Sequence, residues 1–425
     1  MLIAISVKKG VTYMKEFFVK NRENLLKKLS VGEMAIFFSG SAPQSTADSH
    51  YDFRPDKNFY YLTGTTRETF ILVLTKLEEK SEAILFIEKP DYDIEKWVGR
   101  KLTIEQTKEA SGIEDIKYLP DFENWLTRSI HSTKFEKLYL DLPRMKYNGE
   151  MTEAMSFAQD TKKNFPELMI KNVHKFMSEL RMIKSDFEVE EIKKALSLTQ
   201  LGLENVMKTL KPGDREYVVE AEFRYTIRKN GADTNAFPTI AASGGNAVIL
   251  HYVENDQIMN DGDLILMDLG AQYNQYASDI TRTYPINGKY SDRQKTLYNI
   301  VLKANEEVIK MMKPGVAFSE LNKKCSEVLA EELIKIELIK EAKELSKYYY
   351  HGVSHFMGLD VHDVGFRDAK LEPGMIFTVE PGLYVAEENI GIRIEDDILI
   401  TDEGYVNLSK DVIKSVEDIE AFMAK

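Results

Sequence analysis

Gly262-Asp263-Leu264-Ile265-Leu266-Met267-Asp268-Leu269-Gly270 and, a few residues on, Tyr276-Ala277-Ser278-Asp279-Ile280-Thr281-Arg282-Thr283 read as two strands joined by a turn. The first run is apolar and ends in an acid, the pattern of a core strand whose last residues leave the interior. If Tyr273-Asn274 forms a two-residue hairpin loop, Asp268 and Asp279 face each other directly. Their Cβ atoms then lie ~5 Å apart, an unfavourable placement for like charges. A cation between them removes the penalty. Two solvated hairpin acids are the alternative, and the buried character of the first strand argues against it.

The device repeats downstream. Ile376-Phe377-Thr378-Val379-Glu380 is an apolar strand that Pro381-Gly382 stops, and Gly391-Ile392-Arg393-Ile394-Glu395-Asp396-Asp397-Ile398-Leu399-Ile400 is the next. The connecting loop is long, so the register of Glu380 against Glu395 stays open. Two divalent ions balance Asp268, Asp279, Glu380 and Glu395, and a neutral His355 adds one nitrogen to an oxygen-rich set that suits hard cations. Such a pair of ions can activate water for hydrolysis. Without metal the acids repel one another, so raised pKa values are expected among them.

Seven histidines are present, and three fall within His351-Gly352-Val353-Ser354-His355-Phe356-Met357-Gly358-Leu359-Asp360-Val361-His362. An isolated histidine is usually structural. Three in one glycine-rich loop reverse that expectation, because Gly352 and Gly358 permit close backbone approach. His251 follows the flexible Ser243-Gly244-Gly245-Asn246. Taken alone, His251, His131 and His174 read as structural.

Working outward, the acidic strands sit inside a repeated pattern. Ser185-Asp186-Phe187-Glu188 is a capping box that opens an amphipathic helix to about Leu210. Lys211-Pro212-Gly213 ends it and a second helix begins near Asp214. Lys313-Pro314-Gly315 ends another long helix, about 291–312, and opens a further one. Each helix pair precedes a strand-rich block, as a duplication with a cleft between two halves would produce. The first ~175 residues instead alternate strands (34–38, 70–74, 83–87, 138–140) with helices near 15–30, 103–112 and 148–163, an α/β layer with a mostly internal sheet. Two domains are expected, 14–175 and 176–425. Translation is expected to start at Met14; the alternative for residues 1–13 is a disordered extension.

Composition sets the outer limits. The chain has 425 residues, 43% hydrophobic and 29% charged, with net charge −13. That balance argues against nucleic acid or an anionic membrane as the main partner. No run approaches the length of a bilayer span. Cys325 is the single cysteine, so no intrachain disulfide can form, which fits a reducing cytoplasm.

These motifs together resemble the Xaa-Pro aminopeptidase (aminopeptidase P) branch of the metallopeptidases with the pita-bread fold. The resemblance runs from about Met14 onward. Its most specific parts are Gly352 to Gly365, Val379-Glu380-Pro381-Gly382-Leu383-Tyr384, and Gly391 to Asp397. It implies an N-terminal α/β domain followed by a pseudo-twofold catalytic domain. It implies that Asp268 holds one metal through both oxygens, that Asp279 and Glu395 bridge two metals, and that His355 and Glu380 complete the other. Glu380 would also take the proton of a bridging water, whose hydroxide attacks the scissile carbonyl. His251 and His362 would bind that carbonyl or its oxyanion, and His351, Tyr384 and Arg393 would support the proline side. Manganese is the metal implied, with Co2+, Zn2+ or Fe2+ able to replace it. Substrates would be peptides with proline in second position. Thr46-Ala47-Asp48-Ser49 and Tyr60-Tyr61-Leu62-Thr63-Gly64 look like the family's small domain. Asp48 and Trp97 resemble residues that reach a neighbouring subunit's cleft in a homodimer or homotetramer; a core aromatic is the alternative for Trp97. Prolidase, which cleaves Xaa-Pro dipeptides, shares all five ligands and is the nearest rival. Methionine aminopeptidase needs no such N-terminal domain, and a creatinase-like amidinohydrolase needs no metal ligands. A non-catalytic peptide-binding relative would have lost ligands that remain intact here.

Overall fold

The computed structural model describes residues 2–133, 135–144 and 146–424, with side chains from Met14 onward except that of Thr133. The expected extension, residues 1–13, therefore falls where no side chain is described. The chain divides into two compact units, Met1–Leu180 and Arg181–Lys425.

The first unit is built on a six-stranded sheet. Its strands are β1 (Glu33–Phe38), β2 (Ile71–Lys76), β3 (Ser81–Ile87), β4 (Asp115–Tyr118), β5 (Lys137–Leu140) and β6 (Met169–Asn172), in the order β4-β3-β2-β1-β5-β6. β1 pairs antiparallel with β2, and β2 with β3. The outer pairings β1–β5, β3–β4 and β5–β6 are parallel. Every residue of β1 is buried, as its unbroken apolar run requires of a strand covered on both faces. The edge strands β4 and β6 are largely exposed or half-buried, and both escaped the sequence pattern because they are short and charged. Phe86, Phe122, Leu126 and Ile130 pack with β1 residues into one core on the face covered by the helix Phe122–Thr133.

The second unit repeats itself. The helix Asp186–Thr209 starts at Ser185, whose N–H and hydroxyl both donate to Glu188 Oε2 at 2.9 and 3.0 Å. It packs against the helix Glu216–Lys229, and later Asp292–Met311 packs against Phe318–Lys335. The two Lys-Pro-Gly turns between them are equivalent bond for bond. Gly213 and Gly315 both take positive φ, 91° and 87°. Gly213 N–H donates to Met259 O, and Gly315 N–H to Leu371 O. Glu216 N–H donates to Gln257 O, and Phe318 N–H to Ala369 O. Arg215 bridges Ile258, and Ala317 bridges Lys370. This is the duplicated, pseudo-twofold architecture of the pita-bread fold.

Each half then supplies antiparallel strands. The first has β7 (Thr234–Asn235), β8 (Ile240–Ser243), β9 (Leu264–Leu269), β10 (Ala271–Tyr273), β11 (Tyr276–Ala277) and β12 (Ile280–Pro285), with β9 between β8 and β12. The second has β13 (Ile376–Val379), β14 (Gly382–Val385), β15 (Ile390–Arg393), β16 (Asp396–Thr401) and β17 (Gly404–Asn407).

One expectation is corrected here. The hairpin loop is Asn274-Gln275, not Tyr273-Asn274, because Tyr273 pairs with Tyr276. Both loop residues have positive φ, 45° and 69°, as a twist-matched two-residue turn demands. Asp268 consequently pairs with Thr281 rather than Asp279. Asp279 lies two residues before Thr281, on the same face and diagonal to Asp268. Direct opposition occurs in the other half. β13–β16 and β14–β15 share one continuous register, and Ile394 N–H donates to Pro381 O where they meet. Glu380 and Glu395 fall opposite each other at that break.

Candidate metal centre

Asp268 is the penultimate residue of β9, Asp279 immediately precedes β12, Glu380 immediately follows β13, and Glu395 lies between β15 and β16. Asp279 and Glu395 are buried, while Asp268 and Glu380 are half-buried. The glycine-rich loop delivers His355, anchored by His355 N–H to Thr378 Oγ1 at 3.2 Å and by Thr378 N–H to His355 O at 3.0 Å. Within the second unit these elements converge. One ligand atom each from Asp279, His355 and Glu395 lies within 4.8 Å of the others. Glu380 Oε1 stands 3.7 Å from His355 Nε2, and Asp279 Oδ2 stands 3.4 Å from the same nitrogen.

The tautomer of His355 follows from its bonds. Nδ1 lies 3.0 Å from the Phe356 carbonyl, which can only accept, so Nδ1 carries a proton and, in the neutral ring that a metal needs, Nε2 is the nitrogen that offers a lone pair toward the acids. A lone pair facing carboxylate oxygens is repulsive unless a cation stands between them. His351 is held likewise: Nδ1–H donates to Gly352 O at 2.7 Å, and Nε2 accepts from Tyr384 OH at 2.8 Å. Burial, with Arg393 nearby, pushes His351 down to about 4, so it is neutral at physiological pH. The His362 ring meets the His355 ring edge to face, centroids 4.3 Å apart. Burial lowers the His362 pKa, and neighbouring His355 and His251 lower it further.

The acids carry the mark of an uncompensated cluster. Burial raises Asp279 well above its usual range, and Asp268, Asp397 and Glu380 add to the rise. Glu395 is raised in the same way by burial and by Asp279, Glu380 and Asp268. Glu380 is raised by burial against the opposing pull of His355 and Arg393. Asp268 Oδ1 and Asp279 Oδ1 are buried with no hydrogen-bond partner among the described residues. Orphaned buried carboxylate oxygens are rare and call for an ion or water. The donor set, oxygens with one imidazole nitrogen, fits divalent cations. Asp268 Oδ2 accepts from Arg393 Nη2 at 2.6 Å, so ligation through both oxygens would require Oδ2 to serve guanidinium and ion together.

Several supporting residues carried no signal strong enough to single out. Thr281 Oγ1 donates to Glu395 Oε2 at 2.7 Å and accepts from Arg393 Nε at 3.1 Å. Asp397 Oδ2 accepts the Asp279 N–H at 3.2 Å. Arg282 is fully buried and donates to Asp396 Oδ1 (2.8 Å) and to the Glu395 carbonyl (2.5 Å), fixing the backbone beside Glu395. Burial opposes ionisation of Asp396, but Arg282 and Lys414 bring it down to about 2. The loop bearing His355 and His362 is pinned by Asp363, which pairs with buried Arg181 (2.5 Å) and Lys184 (3.0 Å). Polar residues recurring in buried strands, such as Thr281, Thr283 and Thr378, were the available clue.

The residues assigned to substrate binding divide by unit. His351, Tyr384 and Arg393 form one chain of bonds, with Arg393 Nη1 donating to Tyr384 OH at 3.0 Å. His251 lies on the exposed turn after the 3₁₀ segment Gly244–Val248, near enough to His351 and His362 to affect both. Asp48 and Trp97 belong to the first unit. Asp48 is exposed in a loop, and Trp97 is 89% exposed on the helix Tyr92–Val98, which removes the core-aromatic alternative.

Residues 190–402 match the metallopeptidase family M24. The chain belongs to metallopeptidase family M24. Its first unit carries a match to the aminopeptidase P N-terminal domain over residues 18–139. Among M24 relatives, the Xaa-Pro aminopeptidase of Escherichia coli is 34% identical, over 96% of this chain and 97% of its own. A Bacillus anthracis structure described as an aminopeptidase P superposes with TM-score 0.95 at 47% identity, covering 97% of this chain and 98% of that one. The zinc-substituted E. coli aminopeptidase P in complex with product superposes with TM-score 0.90 at 32% identity, covering 96% and 98%. The M24 fold and the clustered candidate ligands therefore come together in one chain.

Proposed function

We propose that this chain is a metal-dependent aminopeptidase that hydrolyses the bond between an N-terminal residue and a following proline. One observation carries the reading: Asp279, His355 and Glu395 gather their ligand atoms within 4.8 Å, with Asp268 and Glu380 beside them, in an M24 chain whose first unit matches the aminopeptidase P N-terminal domain. These five residues would hold divalent ions, manganese first among them, which when bound would supply Lewis-acid polarisation of the scissile carbonyl and an activated water.

The remaining work falls to the protein's own groups. Glu380 takes the proton of the attacking water, and a raised carboxyl pKa suits a group that must both accept a proton and hand it on to the leaving amine. His362 and His251 donate to the carbonyl oxygen as charge develops on it, an effect worth about 3 kcal/mol where such donors have been removed. Neutral His351, braced by Tyr384, forms with Arg393 the wall against which the proline ring lies. In an oligomer, a homodimer or homotetramer, Asp48 and Trp97 would complete a neighbouring cleft. The apolar side chains Tyr92, Ile94, Trp97 and Val98, all exposed on one short helix, support such an assembly. No described helix is long and apolar enough to cross a membrane, and buried Cys325 is consistent with a cytoplasmic location.

The test is hydrolysis of Xaa-Pro-Yaa tripeptides beside Xaa-Pro dipeptides, with manganese, after chelation, and after metal is returned. Tripeptide cleavage that chelation abolishes and manganese restores is expected; cleavage of dipeptides alone would make the chain a prolidase. His355→Ala and Glu395→Ala should each lower kcat/KM by about a thousandfold or more, about 4 kcal/mol of lost transition-state stabilisation. Near-normal turnover in either would refute the metal reading.

A further inference from the structure

Glu216 opens the helix Glu216–Lys229 and is fully buried, yet it has no place in the chemistry above. Its carboxylate accepts five hydrogen bonds. Oε1 takes the Ser243 N–H (2.7 Å), the Ser243 hydroxyl (2.6 Å) and Asn246 Nδ2 (3.1 Å). Oε2 takes the Tyr252 hydroxyl (2.7 Å) and the Gln257 N–H (3.0 Å). Every donor comes from residues 243–257, the segment that leaves β8 and carries His251. Charge-assisted bonds to a buried carboxylate are about twice as strong as neutral ones. They fix a segment that would otherwise be an exposed glycine-rich loop. His251 is itself exposed, so its position is set through its neighbours. Leu250 packs on the Tyr252, Leu266 and Tyr384 cluster, and Tyr252 is tied to Glu216.

The duplicated half holds a different residue in the equivalent place. Phe318 opens its helix as Glu216 does, and its N–H makes the equivalent backbone bond. The Phe318 ring stacks on Phe356 and Phe377, with centroids 5.7 and 5.5 Å away. Phe356 directly follows His355. In both halves the first residue of the second helix braces a histidine-bearing segment, by hydrogen bonds on one side and by ring stacking on the other.

We propose that Glu216 is a positioning residue that presents His251 to the scissile carbonyl. The assignment rests on the aminopeptidase reading above. It is tested by a double-mutant cycle of Glu216→Gln and His251→Ala in the manganese-loaded, full-length protein, with hydrogen exchange measured on the metal-free protein. A glutamine turns one accepting oxygen into a donor that faces other donors. With His251 present, Glu216→Gln should lower kcat about tenfold and change KM by less than about threefold. In the His251→Ala background it should change kcat by less than about twofold. Amide exchange should quicken in residues 243–257 and stay unchanged in the helices of the first unit. Equal losses of kcat in both backgrounds, or unchanged exchange in 243–257, would overturn the proposal. If Glu216→Gln does not fold, Tyr252→Phe removes a single hydroxyl donor. Its loss of kcat should be about threefold and should vanish without His251, and persistence there overturns the proposal equally. Failure of the wild-type protein to cleave Xaa-Pro-Yaa would sink the functional reading, whereas wild-type cleavage with an additive cycle would sink the Glu216 assignment alone.

Discussion

Glu188 shows how a residue outside the metal cluster shapes the behaviour of the fold. It is wholly buried at the start of a long helix, accepts from Ser185 and from the Tyr276 hydroxyl (3.2 Å), and burial raises its pKa to about 7. In the unfolded chain a glutamate titrates near ~4.3. The folded state therefore holds the proton more tightly. Its contribution is fully present below ~4.3, declines as pH climbs toward about 7, and is flat above. Glu188→Gln removes that slope. Urea midpoints measured at pH 4.5 and pH 8 should move in the variant's favour at the higher pH, by on the order of 3 kcal/mol. An identical offset at both pH values would contradict the shift. The metal-ligand candidates obey the same physics: burial first of all raises Asp279, Glu380 and Glu395, and like charges nearby add to the rise.

Among elements, the β9–β12 hairpin separates what the chain announces from what it conceals. The apolar run, the turn and the shared face of Asp268 and Asp279 were all legible. The loop lies one residue later than its composition suggests, because asparagine is a usual turn residue and glutamine is not. Gln275 adopts φ 69° regardless, and its N–H is held by Asp233 Oδ2 at 3.1 Å. A loop displaced by one residue shifts pairing by two, which preserves the faces, so the acids stayed together while their direct opposition was lost. Gln275→Gly should relieve the left-handed strain and stabilise the protein by up to about 1 kcal/mol, read as a higher denaturant midpoint. A lower midpoint would mean that the glutamine side chain contributes more than its backbone costs. The residues that support the ligands were harder to read. Thr281, Asp397 and Glu216 matter through partners more than a dozen residues away in sequence, and periodicity carries no record of such distant contacts.

For the whole molecule, the Lys-Pro-Gly echo predicted two halves, and the matched bonds at Gly213 and Gly315 bear it out. The five candidate ligands are shared between those halves: Asp268 and Asp279 come from one, His355, Glu380 and Glu395 from the other. Neither half owns the complete candidate set. The only covalent link between them on the side of β12 is the turn Asn287-Gly288-Lys289, where Asn287 and Lys289 are exposed. A gene severed at Gly288 would yield two polypeptides, each with part of the ligand set. Produced separately, neither should hydrolyse Xaa-Pro-Yaa; produced together, they should reassemble and do so. Peptidase activity from either fragment by itself would be incompatible with the shared site. On the proposed ligand set, bound metal would be a cross-brace between halves that a protease nick has left unconnected, so a nicked protein should come apart more readily when its ions are stripped than when they are kept.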